Sequence, residues 1–117
     1  MDQLERFRVM HATYHKHGWQ LARVLMRVET LAELAPSSIA TGSEALSFEN
    51  APVQESSLDA MWFKRASSGE REAWELRLVA DTPYALFELF EADEAEEDRE
   101  DVRREMEAKM RETMKAE

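Results

Sequence analysis

Apolar residues follow a helical spacing through the N-terminal part of the chain. They recur in steps of three and four, and the stripe includes a histidine and a glycine: Leu4, Phe7, His11, Tyr14, Gly18, Leu21, Leu25, Val28, Ala32 and Ala35. This spacing predicts a helix over residues 1–35, capped by Asp2, stopped by Pro36 and open to a kink or a split at Gly18. An alternative interpretation places a hairpin turn at residues 16–18, between two runs with period-two alternation.

The next segment is rich in residues that interrupt regular structure. Residues 36–57 contain two of the three prolines together with several serines, which predicts a connector. A short edge strand at residues 45–49 fits the weak alternation there.

The strongest strand pattern lies in residues 58–80, where two apolar runs flank a Ser-Ser-Gly-Glu turn and predict a β-hairpin. In its second strand Trp74, Leu76 and Leu78 share one face. Glu75 and Arg77 share the other face, as in a half-buried antiparallel sheet. Residues 84–90 fit either a third strand or a helix that begins after Pro83, and their aromatic and leucine density favours the strand.

The C-terminal part predicts a second long helix. Residues 92–116 are mostly Ala, Glu, Asp, Arg, Lys and Met, with opposite charges four positions apart. Its thin apolar stripe suits packing on the core, with fraying of the last turns, or pairing with a second copy in a homodimer: Val102, Met106, Met110 and Met114.

These elements predict an α+β fold in a single domain, residues 1–117. An N-terminal helix packs on a three- or four-stranded antiparallel sheet, and an acidic C-terminal helix follows, in the order α-β-β-β-α.

Composition and charge narrow the classes of function. The chain has no cysteine, which excludes disulfides and thiolate chemistry, and its three glycines cannot form a glycine-rich phosphate loop. Its net charge of -10 disfavours direct binding to nucleic acid or to anionic membranes. With no apolar run of membrane-spanning length and no visible secretory signal, we expect a cytoplasmic protein.

The three histidines form the sharpest local cluster. A helix places His11 and His15 one turn apart on one face, a spacing compatible with a shared divalent metal ion, whereas His17 points elsewhere. The sequence supplies no obvious third ligand. The alternative is that His11 packs in the apolar stripe and the other two are solvated.

Two features suggest contact with another protein. Trp62 and Phe63 are adjacent, so in a strand they point to opposite faces, and one of them is expected to be exposed unless a second helix covers it. The segment 91–101 carries eight carboxylates in eleven residues, a surface that attracts basic partners. Its candidate partner-binding residues are Glu94, Glu96, Glu97, Asp98 and Asp101.

The sequence therefore favours a non-enzymatic cytoplasmic interaction or regulatory protein, with no cofactor, that binds a basic protein partner through its acidic helix and an exposed hairpin aromatic. A narrower version is a nucleic-acid mimic that inhibits a basic nucleic-acid-binding protein. The rival interpretations are a metal-binding protein or metalloenzyme built on His11 and His15, and a domain that binds a small ligand between the sheet and the N-terminal helix.

Overall fold

The computed structural model describes residues 2–34 and 46–115. The elements in these ranges are α1 Gln3–Lys16, β1 Gln20–Met26, α2 Val28–Leu34, β2 Ser47–Phe48, β3 Ala51–Glu55, β4 Ala60–Ala66, β5 Glu72–Leu78, β6 Ala85–Phe90 and α3 Glu96–Lys115. The predicted helix stop at Pro36 and the start of the predicted strand at residues 45–49 lie outside the described residues, as do the final two residues of the chain.

The strands form one sheet in the order β2-β3-β1-β4-β5-β6. β1 and β3 run parallel, and the other neighbouring pairs are antiparallel. The predicted α+β class is confirmed. The predicted three- or four-stranded antiparallel sheet is wrong in strand number and in direction, because β1 and β3 arise where the pattern predicted helix and connector. β2 lies within the short edge strand predicted at residues 45–49 and is an edge strand of the sheet.

The first helix ends much earlier than predicted. Asp2 caps α1, as expected, and its carboxylate accepts a hydrogen bond from the backbone N–H of Glu5 at 2.8 Å. α1 ends at Lys16 because Gly18 adopts a φ of +88°, a left-handed conformation that commonly ends helices. Of the two outcomes predicted at Gly18, a kink or a split, the structure has the split, and a strand follows it. The alternative hairpin is wrong about the residues before the turn and right about the strand after it.

β1 was predicted as helix because its sequence lacks a strand-like alternation. Val24, Leu25 and Met26 are consecutive and all buried, since β1 lies inside the sheet and helices cover both of its faces. A strand covered on both sides reads as a continuous apolar run, which periodicity cannot distinguish from a buried helix.

Helices pack on both faces of the sheet. α1 and α2 cover the face that we call the α1 face, with a core that includes Phe7, Val24, Met26, Met61 and Phe63. α3 covers the opposite α3 face, whose core includes Leu25, Trp62, Trp74, Leu76, Phe90 and Met110.

The remaining elements agree with the predictions made from the sequence. The predicted hairpin is present as β4 and β5, joined through the short 3-10 turn Ser68–Glu70, and residues 84–90 contain the strand β6 rather than a helix. The predicted C-terminal helix is α3. Over the two described ranges, none of the helices combines the length and apolar character needed to cross a membrane.

Candidate functional site

The predicted histidine pair lies on α1. The rings of His11 and His15 stack with centroids 5.9 Å apart, and His11 also meets the ring of Phe48 edge-on at 6.2 Å. His17 sits at the end of the helix, where its Nδ1 lies 2.8 Å from the carbonyl oxygen of Thr13. Within residues 2–34 and 46–115, no three His, Asp or Glu side chains are grouped to hold a metal ion. The geometry therefore gives the predicted metal site no third ligand.

The expectation that Trp62 or Phe63 is exposed is wrong. The two side chains do point to opposite faces, but both are fully buried. Trp62 lies under α3 and donates a hydrogen bond from Nε1 to Glu107 at 2.7 Å. Phe63 stacks on Tyr14 of α1, with ring centroids 4.1 Å apart. Because a helix covers each face here, neither aromatic is available to a partner, and the exposed aromatic of the hairpins is Phe87 instead, at 58% exposure.

The apolar stripe of α3 is also occupied. Met110 is completely buried, and Val102, Met106 and Met114 pack around the same core cluster. The stripe therefore packs on the protein's own sheet, the first of its two predicted uses, and a homodimer through the same stripe stays a prediction.

Some of the predicted acidic contact residues already have partners within the chain. Glu94 accepts a hydrogen bond from the backbone N–H of Glu91 at 2.7 Å in the turn before α3. Glu96 pairs with Arg103 at 2.9 Å. Glu97, Asp98 and Asp101 are exposed on the outer side of α3.

Arg103 is the centre of an ionic network beneath α3. It is 2% exposed, pairs with Glu100 at 2.6 Å as well as with Glu96, and lies over the ring of Trp74 at 4.1 Å. Burial acts to lower the pKa of Arg103, but hydrogen bonds to the two carboxylates outweigh it, so the pKa is raised. The hydrogen bond from Arg103 also lowers the pKa of Glu96. The charges of this cluster are paired within the chain, and the buried Nε of Arg103 is left without a hydrogen-bond acceptor.

The same network reaches into the sheet. Arg23 of β1 donates two hydrogen bonds to Glu100, at 2.9 and 3.2 Å, and lies 3.7 Å from Glu107. The hydrogen bond from Arg23 is the main reason why the pKa of Glu100 is lowered, against the opposing effect of burial. Because each of these groups has an opposite charge beside it, we interpret the network as the attachment of α3 to the sheet.

An open groove lies between α1 and the end of β5 with the residues that follow it, and we call it the α1–β5 groove. It has a volume of about 370 Å³, and its lining combines apolar and charged side chains: Val9, Met10, Ala80, Tyr14, Arg6, Arg77 and Asp81. α1 packs over β4, where Tyr14 stacks on Phe63, and leaves the same face of β6 uncovered, where Phe87 is exposed. The groove is the space left beside this partial cover.

Charged groups inside the groove differ in how they are paired. Arg6 and Asp81 form an ion pair at 2.7 Å, and the hydroxyl of Tyr14 donates to Glu75. The pKa of Tyr14 is raised well above its ordinary value, first by burial and then by Glu75, while the nearby charge of Arg77 opposes the shift. Arg77 itself makes no ion pair with the described residues, and its Nε is buried with no hydrogen-bond partner.

The sequence suggested a ligand site between the sheet and the N-terminal helix as one rival interpretation, but it did not identify the residues that line this groove. The alternation in β5 correctly places Glu75 and Arg77 on one face, opposite Phe63 and Met61 in the β4 ladder. That two charged residues share a face with two buried apolar neighbours is the signal that points to a partly covered surface. How much of that face α1 covers depends on tertiary packing.

Comparison with known proteins adds no assignment. No model of a known protein family, no curated protein and no solved structure matches this chain. A proposal about function therefore depends on the surfaces and charges described above.

Proposed function

We propose that the protein is a non-enzymatic interaction or regulatory protein that binds a basic segment of a partner protein through the outer face of α3. One observation supports this most directly. Glu97, Asp98 and Asp101 are exposed in the first two turns of α3 and form no ion pair with the described residues. We call these three carboxylates the acidic face.

The acidic face is carried on a firmly attached helix. Met110 is buried on the inner side of α3, Glu107 accepts a hydrogen bond from Trp62 of β4, and the guanidinium of Arg103 lies over the ring of Trp74 in β5. A surface that is already ordered loses little conformational entropy on binding, so more of its interaction energy appears as affinity. The net charge of -10 further favours encounter with basic partners through long-range attraction.

The two other acidic residues predicted to bind a partner contribute less. Glu94 is committed to the turn before α3, and the charge of Glu96 is compensated by Arg103. Trp62 and Phe63 are buried, so the exposed aromatic of this region is Phe87. It lies on the α1 face of β6 and therefore on a different surface from the acidic face.

A charge-neutralised variant tests the proposal. The full chain carrying Glu97→Gln, Asp98→Asn and Asp101→Asn is compared with the wild type in affinity capture from a lysate of the source cells. We expect one or more basic proteins to be retained by the wild type in low salt, to be lost as salt is raised and to be absent from the variant. The full chain is needed, because removal of α3 would uncover the core around Trp62 and Trp74.

A matched control changes three exposed carboxylates elsewhere, Glu29, Glu33 and Glu49, to glutamine. It has the same net charge as the first variant, so capture by the control shows that position, and not total charge, determines binding. Capture of the same proteins by both variants would contradict the proposal. If an oligonucleotide competes with the captured protein, the narrower nucleic-acid-mimic version is supported.

A further inference from the structure

Arg77 differs from the other shielded arginines of the described ranges. Each of those that are buried or half-buried has a partner: Arg6 with Asp81, Arg23 and Arg103 with Glu100, Arg71 with Ser68, and Arg99 with Glu72. Arg77 is half-buried and makes no ion pair with the described residues. Its polar contact is with the Tyr14 hydroxyl, and its Nε, like those of Arg99 and Arg103, is buried without an acceptor. A half-buried guanidinium with no carboxylate partner, in the lining of an open groove, can bind an anion from outside the chain.

The carboxylates around Arg77 are committed to other groups. Glu75, two residues earlier on the same face of β5, accepts the hydroxyl hydrogen of Tyr14. Asp81, at the edge of the groove, pairs with Arg6 at 2.7 Å. These two negative charges also disfavour a doubly charged phosphate, so the surroundings of Arg77 suit a ligand with a single negative charge.

The shape of the α1–β5 groove limits the size of that ligand. Its volume of about 370 Å³ lies at the lower end of the range for small-molecule sites. Val9, Met10 and Ala80 give it apolar walls. On the β6 side, the residue opposite Arg77 in the ladder is the small, exposed Ala85. The groove thus offers one cation and an apolar surface in the same lining.

We propose that the α1–β5 groove binds a small organic monocarboxylate with a short apolar body. The guanidinium of Arg77 binds the carboxylate through its planar pair of N–H donors, and the apolar body packs against Val9 and Met10. This site is on the opposite side of the sheet from α3, so it does not depend on the acidic face.

The test uses calorimetric titration of the full chain with hexanoate and benzoate as probes, and with hexanamide and benzamide as uncharged analogues. We expect both acids to bind the wild type and neither amide to do so. Arg77→Met keeps the apolar stem and removes the charge, and should abolish binding of the acids. Arg8→Met, which removes an exposed arginine of α1 outside the groove, should bind them as the wild type does.

Equal binding of acid and amide, or undiminished binding of the acids by Arg77→Met, would overturn the proposal. The carboxylate could belong to a small molecule or to the C-terminus of a peptide chain. A tetrapeptide that ends in leucine, as the free acid or as the C-terminal amide, distinguishes these two sources. The small acids should bind at least as tightly as the peptide acid. Tighter, Arg77-dependent binding of the peptide acid would overturn the small-molecule source and assign the groove to chain termini.

Thermal stability distinguishes a ligand-binding role of Arg77 from a role in stabilising the fold. Arg77→Met should unfold at a temperature no lower than the wild type in ligand-free buffer, because Arg77 forms no ion pair with the described residues that the substitution would break. A lower unfolding temperature would show that Arg77 stabilises the fold and would contradict the proposal. Neutralising the acidic face should leave binding of the acids unchanged, so failure of one proposal is distinguishable from failure of the other.

Discussion

At the scale of single residues, Asp59 connects three segments that are far apart in the sequence. Its side chain is buried, and it accepts hydrogen bonds from the backbone N–H of Arg27 at 2.8 Å, from Thr30 at 2.7 Å and from Gln3 at 3.0 Å. The guanidinium of Arg27 adds an ion pair at 3.3 Å. One carboxylate therefore fixes the start of α1 and the start of α2 to the beginning of β4.

We expect Asp59→Ala to lower the free energy of unfolding by about 3 kcal/mol, since it leaves several shielded donors without an acceptor. Thr30→Val removes one of these donors and should cost only about 1 kcal/mol. Urea unfolding followed by tryptophan fluorescence measures both. A loss for Asp59→Ala no greater than that for Thr30→Val would show that the carboxylate does not organise the two helices.

At the scale of elements, Gly18 decides where α1 gives way to β1. An added Cβ at this position meets no atom within 4 Å, so substitution tests the backbone conformation alone. Gly18→Ala should destabilise the protein by about 1 kcal/mol, whereas Gly18→Asn should cost less because asparagine adopts positive φ more readily. Equal losses of unfolding free energy for the two variants in urea would contradict a role of the left-handed conformation.

The sequence predicts well those elements whose pattern matches their exposure. The β4–β5 hairpin alternates, and α3 places charged residues outside and a thin apolar stripe inside, so both were recognised. β1 was mistaken for helix because it is buried on both faces. The parallel pairing of β1 with β3 joins distant segments, and no local pattern encodes it.

Candidate sites, like the elements, can be predicted from the sequence only where they do not depend on tertiary packing. The acidic residues are visible in the sequence, because a run of exposed carboxylates needs no tertiary information. The sequence does not single out Arg77 as a binding residue. That role depends on its lack of an ion pair and on how far α1 extends over β5. Burial of Trp62 and Phe63 likewise follows from helices on both sides of the sheet, which the alternation alone does not reveal.

At the scale of the whole molecule, two electrostatic effects oppose each other as pH falls. The protein has a net charge of -10 at pH 7, so protonation towards the pI of about 4.8 relieves self-repulsion. The ion pairs beneath α3 act in the other direction. Folding lowers the pKa of Glu100 below its ordinary 4.5, so its contribution is present above that pH and is lost as pH falls through the folded-state pKa.

We therefore expect stability to fall steeply below about pH 4.5 and the fall to be shallower in Glu100→Gln. At pH 7 this variant should be less stable than the wild type by about 2 kcal/mol, because Arg23 and Arg103 lose their shared carboxylate. The gap should narrow in acid, where the wild-type Glu100 is itself protonated. Glu105→Gln, on the outer side of α3, should follow the wild-type profile. Urea unfolding at several pH values measures these profiles, and a Glu100→Gln curve parallel to the wild type throughout would mean that the network beneath α3 does not set the acid limit.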